Sequence, residues 1–316
     1  MKIFVTGGTG FIGSHVCRAL MQAGHSLVCL KRKTSGSERC LDFWGRVEWV
    51  DHDSPDWAQM VITATPQAVI HGAWAGVKSV ERDDWKTQGE NISFLLELMR
   101  VAEMAGVKQF IAFGSQAEYG GIDGRVNEEH PCRPTTAYGM AKLACLAILE
   151  QFARRQQMSY TWLRLFSIYG PGEDAQWFIP TLIRQMKNGR QLELTGCEQR
   201  YDYLHVQDLA SGVLAVLRYP EKSGVFNLTS NAAVPLKRVV QLLKENTGYG
   251  PEPVFGAVPY RPGQSMHLEG DSTRFNQTYT FQPRINIIEG LRKLAKETPA
   301  ISIDPCINER ILNESF

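Results

Sequence analysis

Several things are missing from this sequence, and each absence closes off a class of function. No apolar run reaches the roughly 18 residues of a bilayer-spanning helix, so no transmembrane segment is expected. Charge is nearly balanced, with 34 Lys and Arg against 33 Asp and Glu for a net +1. That gives no electrostatic case for nucleic acid or a membrane surface as partner. The seven cysteines are scattered, odd in number and without a C-x-x-C. Neither a zinc site nor a disulfide framework is indicated, and reduced thiols in a cytoplasm are expected. Internal repeats and low-complexity segments are also lacking. The first residues already read as a core strand, so no signal peptide is expected. What is present is 316 residues, 43% of them hydrophobic. That is enough for one large α/β unit or two coupled lobes.

The organising stretch is the beginning. Lys2-Ile3-Phe4-Val5-Thr6 reads as a buried strand, and Gly7-Gly8-Thr9-Gly10-Phe11-Ile12-Gly13 as a glycine-rich turn. An amphipathic run follows, with Ile12, Val16, Leu20 and Ala23 on one face. Strand, glycine turn and helix in that order suit a dinucleotide: glycines permit the turn and the close approach of backbone to pyrophosphate, and the helix N-terminus offers N–H groups and a positive dipole end. Gly7, Gly10, Phe11, Ile12 and Gly13 are therefore candidate cofactor contacts. The alternative is a strand-to-helix turn that needs glycine for backbone reasons alone.

A second strand, Ser26–Leu30, ends in Lys31-Arg32-Lys33, where an NAD-selective site places an acid for the adenosine ribose. Cations there suit a 2′-phosphate, so Lys31 and Arg32 predict NADP(H) over NAD(H), the alternative being a solvated basic loop. A third strand over 47–50 leads to Asp53 and Ser54, candidate adenine-side contacts; Asp53 also reads as a helix N-cap before Pro55. After the fourth strand, Ala73 and Ala75 leave room for a dinucleotide, and Asn91 lies on a helix from about Trp85 to Ala105. His71 reads as a packed core histidine. The fifth strand delivers Ser115 and Gln116 to the carboxyl edge of the sheet. Tyr138 and Lys142 then share one face of the following helix.

These features, with Leu163–Gly172, Asp202–Ala210 and Arg261-Pro262-Gly263 in order, resemble the extended short-chain dehydrogenase/reductase family and its nucleotide-sugar branch. The resemblance covers about residues 1–295. It implies an α/β fold: a Rossmann doubly wound parallel sheet with a smaller α/β C-terminal substrate lobe. The cofactor domain is expected over 1–166 plus about 197–228, and the lobe over about 167–196 and 229–316. It implies a catalytic set of Ser115, Tyr138 and Lys142, in which Lys142 favours the Tyr138 phenolate and Tyr138 exchanges a proton with the substrate oxygen. Phe166 and Ile168 join the implied cofactor site. Trp74, Gln116, Ser167, Trp177, Ile179, Tyr201 and Arg261 are implied substrate contacts, with Arg261 as diphosphate clamp. Family dehydratases carry Thr-Asp-Glu where this chain has Ser115-Gln116-Ala117, with the acid pair performing water elimination. Gln116 and Ala117 stand there instead, so dehydration is not expected, and Glu118 reads as a solvated loop charge. Tyr201 and Trp177 replace a usual arginine and a usual asparagine. Two reactions stay open: NADPH-dependent reduction of a nucleoside-diphosphate 4-keto-6-deoxyhexose, favoured by the basic loop, and NAD-dependent 4-epimerisation. A non-catalytic NADP sensor is the rival outside enzymology. The family also implies a homodimer.

Overall fold

The computed structural model of the protein describes residues 1–299. The first part runs β1 (Lys2–Thr6), α1 (Phe11–Gln22), β2 (Ser26–Lys31), β3 (Glu48–Asp51), α2 (Trp57–Ala64), β4 (Ala68–His71), α3 (Trp85–Met104) and β5 (Gln109–Ser115). A short β6 (Gly124–Val126) precedes α4 (Ala137–Gln156) and β7 (Ser159–Leu165). Next come β8 (Ser167–Tyr169), α5 (Phe178–Lys187), β9 (Glu193–Leu194), β10 (Arg200–His205), α6 (Val206–Leu217) and β11 (Gly224–Leu228). The last described elements are β12 (Ala233–Pro235), α7 (Leu236–Thr247), β13 (Val254–Phe255), β14 (His267–Gly270), α8 (Thr273–Tyr279) and α9 (Ile287–Glu297). No helix among the described residues is long and apolar enough to cross a membrane.

Seven strands form one parallel sheet in the order β3-β2-β1-β4-β5-β7-β11. The chain builds outward from β1 to β3, then crosses back to β4 and builds the other way. The carboxyl ends of β1 and β4 therefore flank a switch point, where α/β sheets bind ligands. This is the doubly wound arrangement expected from the sequence. Strand alternation explains how the sheet is covered on both faces. On β1, Ile3 and Val5 face the core shared with Val16 and Leu20 of α1 and Val213 of α6. Phe4 faces the other core, with Leu95 and Leu98 of α3 and Leu149 of α4.

A second layer gathers around β10. It pairs with β8 and β14 in parallel and β12 antiparallel, and β14 pairs with β6. Amphipathic α5, α7 and α9 bury Leu182, Val239, Leu243 and Leu291 in its core. Two strands depart from the division expected from the sequence. β10, assigned there to the cofactor part, is the centre of the smaller sheet, and β6 is its edge. Short excursions from the large sheet thus build part of the lobe, which a linear boundary does not capture. The unread tail after about residue 298 lies almost wholly outside the described residues.

Candidate active site

The glycine turn folds tightly onto itself. Gly10 N–H donates to the Gly7 carbonyl at 2.9 Å, and Gly7 has φ of 79°, in the left-handed region. A Cβ on Gly13 would overlap the Gly7 carbonyl oxygen, and one on Gly7 would overlap the backbone at Gly72 and Ala73. Helix and turn are in contact only because both side chains are absent. Gly10 is the N-cap of α1 and supplies no side-chain cap, so the first-turn N–H groups lack a side-chain partner. Bare backbone donors at a helix N-terminus, beside a cradle that a methyl group would fill, fit the pyrophosphate of a dinucleotide.

Around that turn the β4 exit is held firmly. Asn91 donates to the Ala75 carbonyl at 2.9 Å and accepts from Ala75 N–H at 3.0 Å. Thr6 accepts from Ala73 N–H at 3.2 Å and is hydrogen-bonded to His71 at 2.8 Å. His71 is buried, and burial followed by the Lys142 charge pushes it down to about 3. It is the neutral core histidine the sequence suggested. At the β2 edge, Lys31 lies 3.5 Å from Asp51. Asp53 accepts from the Lys33 backbone N–H at 2.8 Å. Asp53 is not a helix N-cap: α2 starts at Trp57 with Asp56 in that position. Ser54 closes the turn by donating its N–H to the Asp51 carbonyl at 3.0 Å.

The reacting groups converge at the end of β5. The Ser115 and Tyr138 hydroxyls are hydrogen-bonded, and Ser115 Oγ accepts from Ala117 N–H at 3.2 Å. Tyr138 sits in the first turn of α4, capped by Thr136, and its own N–H donates to the Arg82 carbonyl at 2.8 Å. Lys142 is one turn further and 5% exposed. Its ammonium donates to the Phe113 carbonyl at 2.7 Å and lies 3.5 Å from the Trp74 ring centroid. Burial pushes Lys142 down to about 7. Tyr138 is shifted upward by burial, against the Ser115 bond and the Arg82 charge. So the nearby cation that opposes its burial is Arg82, while the Lys142 ammonium points at Phe113 and Trp74.

Glu118 corrects the sequence reading outright. It is fully buried, not a solvated loop charge. Its Oε1 accepts from Ser115 N–H at 2.8 Å and Trp162 Nε1 at 2.9 Å, and its Oε2 accepts from Arg164 Nε at 2.8 Å. Arg164 also donates to the Tyr119 hydroxyl at 3.0 Å. Burial opposes the Arg164 charge, but Glu118 and Tyr119 outweigh it and hold the guanidinium above its usual value.

In the lobe, Tyr201 is buried and its hydroxyl donates to the Ser265 carbonyl at 3.1 Å, with Gln264 and Arg261 beside it. Arg261, Gln264 and Gln199 line a small pocket under Phe178 and Leu194. Arg200 faces the other way and donates to the Ala233 carbonyl at 2.9 Å, as strand alternation requires. Trp177 is half-buried at the N-cap of α5. Two expected contacts are corrected as side chains: Ile179 and Phe166 are packed in the lobe core. Ile168 packs against the core of the large sheet. Ser167 and Gln116 are half-buried at strand ends.

A family model, "NAD dependent epimerase/dehydratase family", matches residues 3–229. The chain belongs to that family. Among this family member's curated relatives, a UDP-glucose 4-epimerase of Corynebacterium glutamicum is 27% identical over 90% of this chain and 91% of its own length. A GDP-6-deoxy-D-mannose reductase of Pseudomonas aeruginosa is 26% identical over 94% and 96%. The solved UDP-glucose 4-epimerase of Thermotoga maritima, with UDP-glucose, superposes with a TM-score of 0.81 at 27% identity, covering 94% of this chain and 98% of that one.

Within this epimerase/dehydratase member the structure brings Gly7, Ala73, Trp74, Lys142, Tyr138 and Ser115 into one continuous line. Tyr201 and Arg261 gather separately in the lobe. The sequence reading missed Glu118, Gln88 and Arg82. One signal was available: Arg164 lies in the apolar strand Trp162-Leu163-Arg164-Leu165, and a charge there demands a buried counter-charge.

Proposed function

We propose that the protein reduces the 4-keto group of a nucleoside-diphosphate 4-keto-6-deoxyhexose, with NADP(H) as cofactor. One observation carries the choice of direction: Arg32 and Lys33 stand exposed at the end of β2, where they suit the 2′-phosphate of a reducing NADPH, while the Tyr138 phenol, hydrogen-bonded to Ser115, is placed to give a proton to a carbonyl oxygen. When bound, the nicotinamide supplies the hydride. Ser115 orients the substrate oxygen, Tyr138 delivers the proton to it, and Lys142 holds a positive charge under the site. Gly7, Gly10 and Gly13 hold the pyrophosphate. Arg32 and Lys33 are exposed at the β2 edge, with no carboxylate at ion-pair distance among the described residues, and suit a 2′-phosphate. The likeness to a GDP-6-deoxy-D-mannose reductase supports the substrate class.

A second reading is NAD-dependent 4-epimerisation of a nucleotide sugar. It is favoured by the pairing of Lys31 with Asp51, which returns a carboxylate to the adenosine edge, and by the likeness to UDP-glucose 4-epimerases. A homodimer through α3 and α4 fits the exposed Leu96, Met104 and Met140.

The deciding experiment compares the Kd of NADPH and NADH, then product formation from 4-keto-6-deoxyhexose nucleotides with NADPH and from UDP-glucose with NAD. Reductive turnover with tighter NADPH binding is expected. UDP-galactose from UDP-glucose, with tighter NADH binding, would establish the second reading instead.

A further inference from the structure

Lys142 has an unusual partner. It is buried, yet among the described residues no carboxylate lies within ion-pair distance of it. The acid nearest in the site, Glu118 on the turn after β5, is already committed to Arg164, Trp162 and Ser115. The other titratable groups facing Lys142 are His71 at the end of β4 and Cys145 on its own helix, and Tyr138 lies one turn earlier. Arg82, from the connection before α3, lies over the Tyr138 ring at 5.4 Å. None of these supplies a full counter-charge. Among the described residues the Phe113 carbonyl at 2.7 Å and the indole of Trp74 at 3.5 Å receive the ammonium, with the Tyr138 ring further off at 5.8 Å.

That indole is held in place from two sides. Trp74 Nε1 donates to Gln88 Oε1 at 3.0 Å. Gln88 is fixed in turn: its amide donates to the Gly76 carbonyl at 3.0 Å, and Asn91 donates to its Oε1 at 3.3 Å. The Tyr138 ring meets Trp74 edge-on at 6.1 Å, with 90° between the planes. A ring anchored at its N–H presents its face to the cation, and an ammonium over an indole face is attracted by the ring quadrupole, more so when dry.

We propose that Trp74 is a positioning residue of the reaction: its indole face stands in for a counter-ion, holding the Lys142 ammonium charged and aimed along the helix face it shares with Tyr138. The inference rests on the reading of Tyr138 and Lys142 as the reacting pair. It accounts for a large aromatic side chain between two small residues, Ala73 and Ala75, at the cofactor edge. Burial pushes the Lys142 proton off toward about pH 7, so any loss of cation support moves its titration lower still.

The test reads charge, not turnover. Enzyme carrying 13C-labelled lysine is titrated without cofactor, and the Lys142 Cε resonance is assigned by its loss in Lys142→Met. The wild type is expected to titrate near pH 7. Trp74→Leu should titrate about one pH unit lower or more, and Trp74→Phe, which keeps an aromatic face, should fall between. Trp74→Met takes the place of the Leu variant if the latter does not fold. An unchanged or higher midpoint in the Leu or Met variant would overturn the proposal, because the loss of a merely packing side chain relieves burial and does not lower the titration. Wild-type turnover in Tyr138→Phe would instead overturn the reacting-pair reading, and the titration result would stand.

Discussion

Glu118 and Arg164 form an ion pair of 2.8 Å with side chains 0% and 4% exposed, directly behind Ser115. The carboxylate that neutralises the guanidinium also accepts the Ser115 backbone N–H. Stability and site geometry are therefore joined in one side chain. Glu118→Ala leaves a buried guanidinium uncompensated and should cost about 3–5 kcal/mol. The double variant Glu118→Ala/Arg164→Met, which removes the stranded charge, should recover much of that. Urea denaturation checks both. A single variant within about 1 kcal/mol of wild type would show that the pair is not a structural keystone.

The contact of Gly13 with Gly7 predicts a sharp steric result. Gly13→Ala puts a methyl on the Gly7 carbonyl and must displace the turn. NADPH binding should weaken roughly tenfold or more, about 1.4 kcal/mol. Gly89→Ala, in α3 with nothing near its added Cβ, is the matched control and should leave affinity unchanged. Equal Kd values across all three proteins would remove the cradle from the cofactor site.

His71 ties the fold to pH. Its folded value lies near 3 against 6.5 for the unfolded chain. Below pH 6.5 the unfolded chain takes up the proton and the folded protein does not, so stability falls as pH drops from 6.5 toward 3. Between pH 7 and pH 5 this one residue should account for a loss of about 2 kcal/mol. Urea midpoints for wild type and His71→Gln at both pH values measure it. The same pH dependence in both proteins would assign the acid loss elsewhere.

The large sheet was legible because its signals are local. Alternating and continuous apolar runs at β1, β2, β4 and β5, with glycine punctuation, set the strands and their order of winding. Ser115, Tyr138 and Lys142 were legible as types in the right order along such units. Harder to read was anything decided by distant packing. Glu118 looks like a loop charge until Arg164, 46 residues on, closes over it. Ile179 and Phe166 look like site lining, but α5 and α7 bury them in a core that forms only when the lobe assembles. Asp53 is not a helix cap because α2 starts only at Trp57, and its carboxylate accepts instead from the Lys33 backbone N–H in the turn after β2.

The most direct test of the central claim is the Tyr138→Phe variant, which deletes one hydroxyl from a buried ring and little else. Cofactor affinity and single-turnover reduction should be measured on the same preparation, by NADPH fluorescence and by loss of absorbance at the nicotinamide band. The account predicts a Kd within about twofold of wild type and a rate lower by roughly 10²–10⁴. A rate close to that of wild type with the same nucleotide sugar would contradict it.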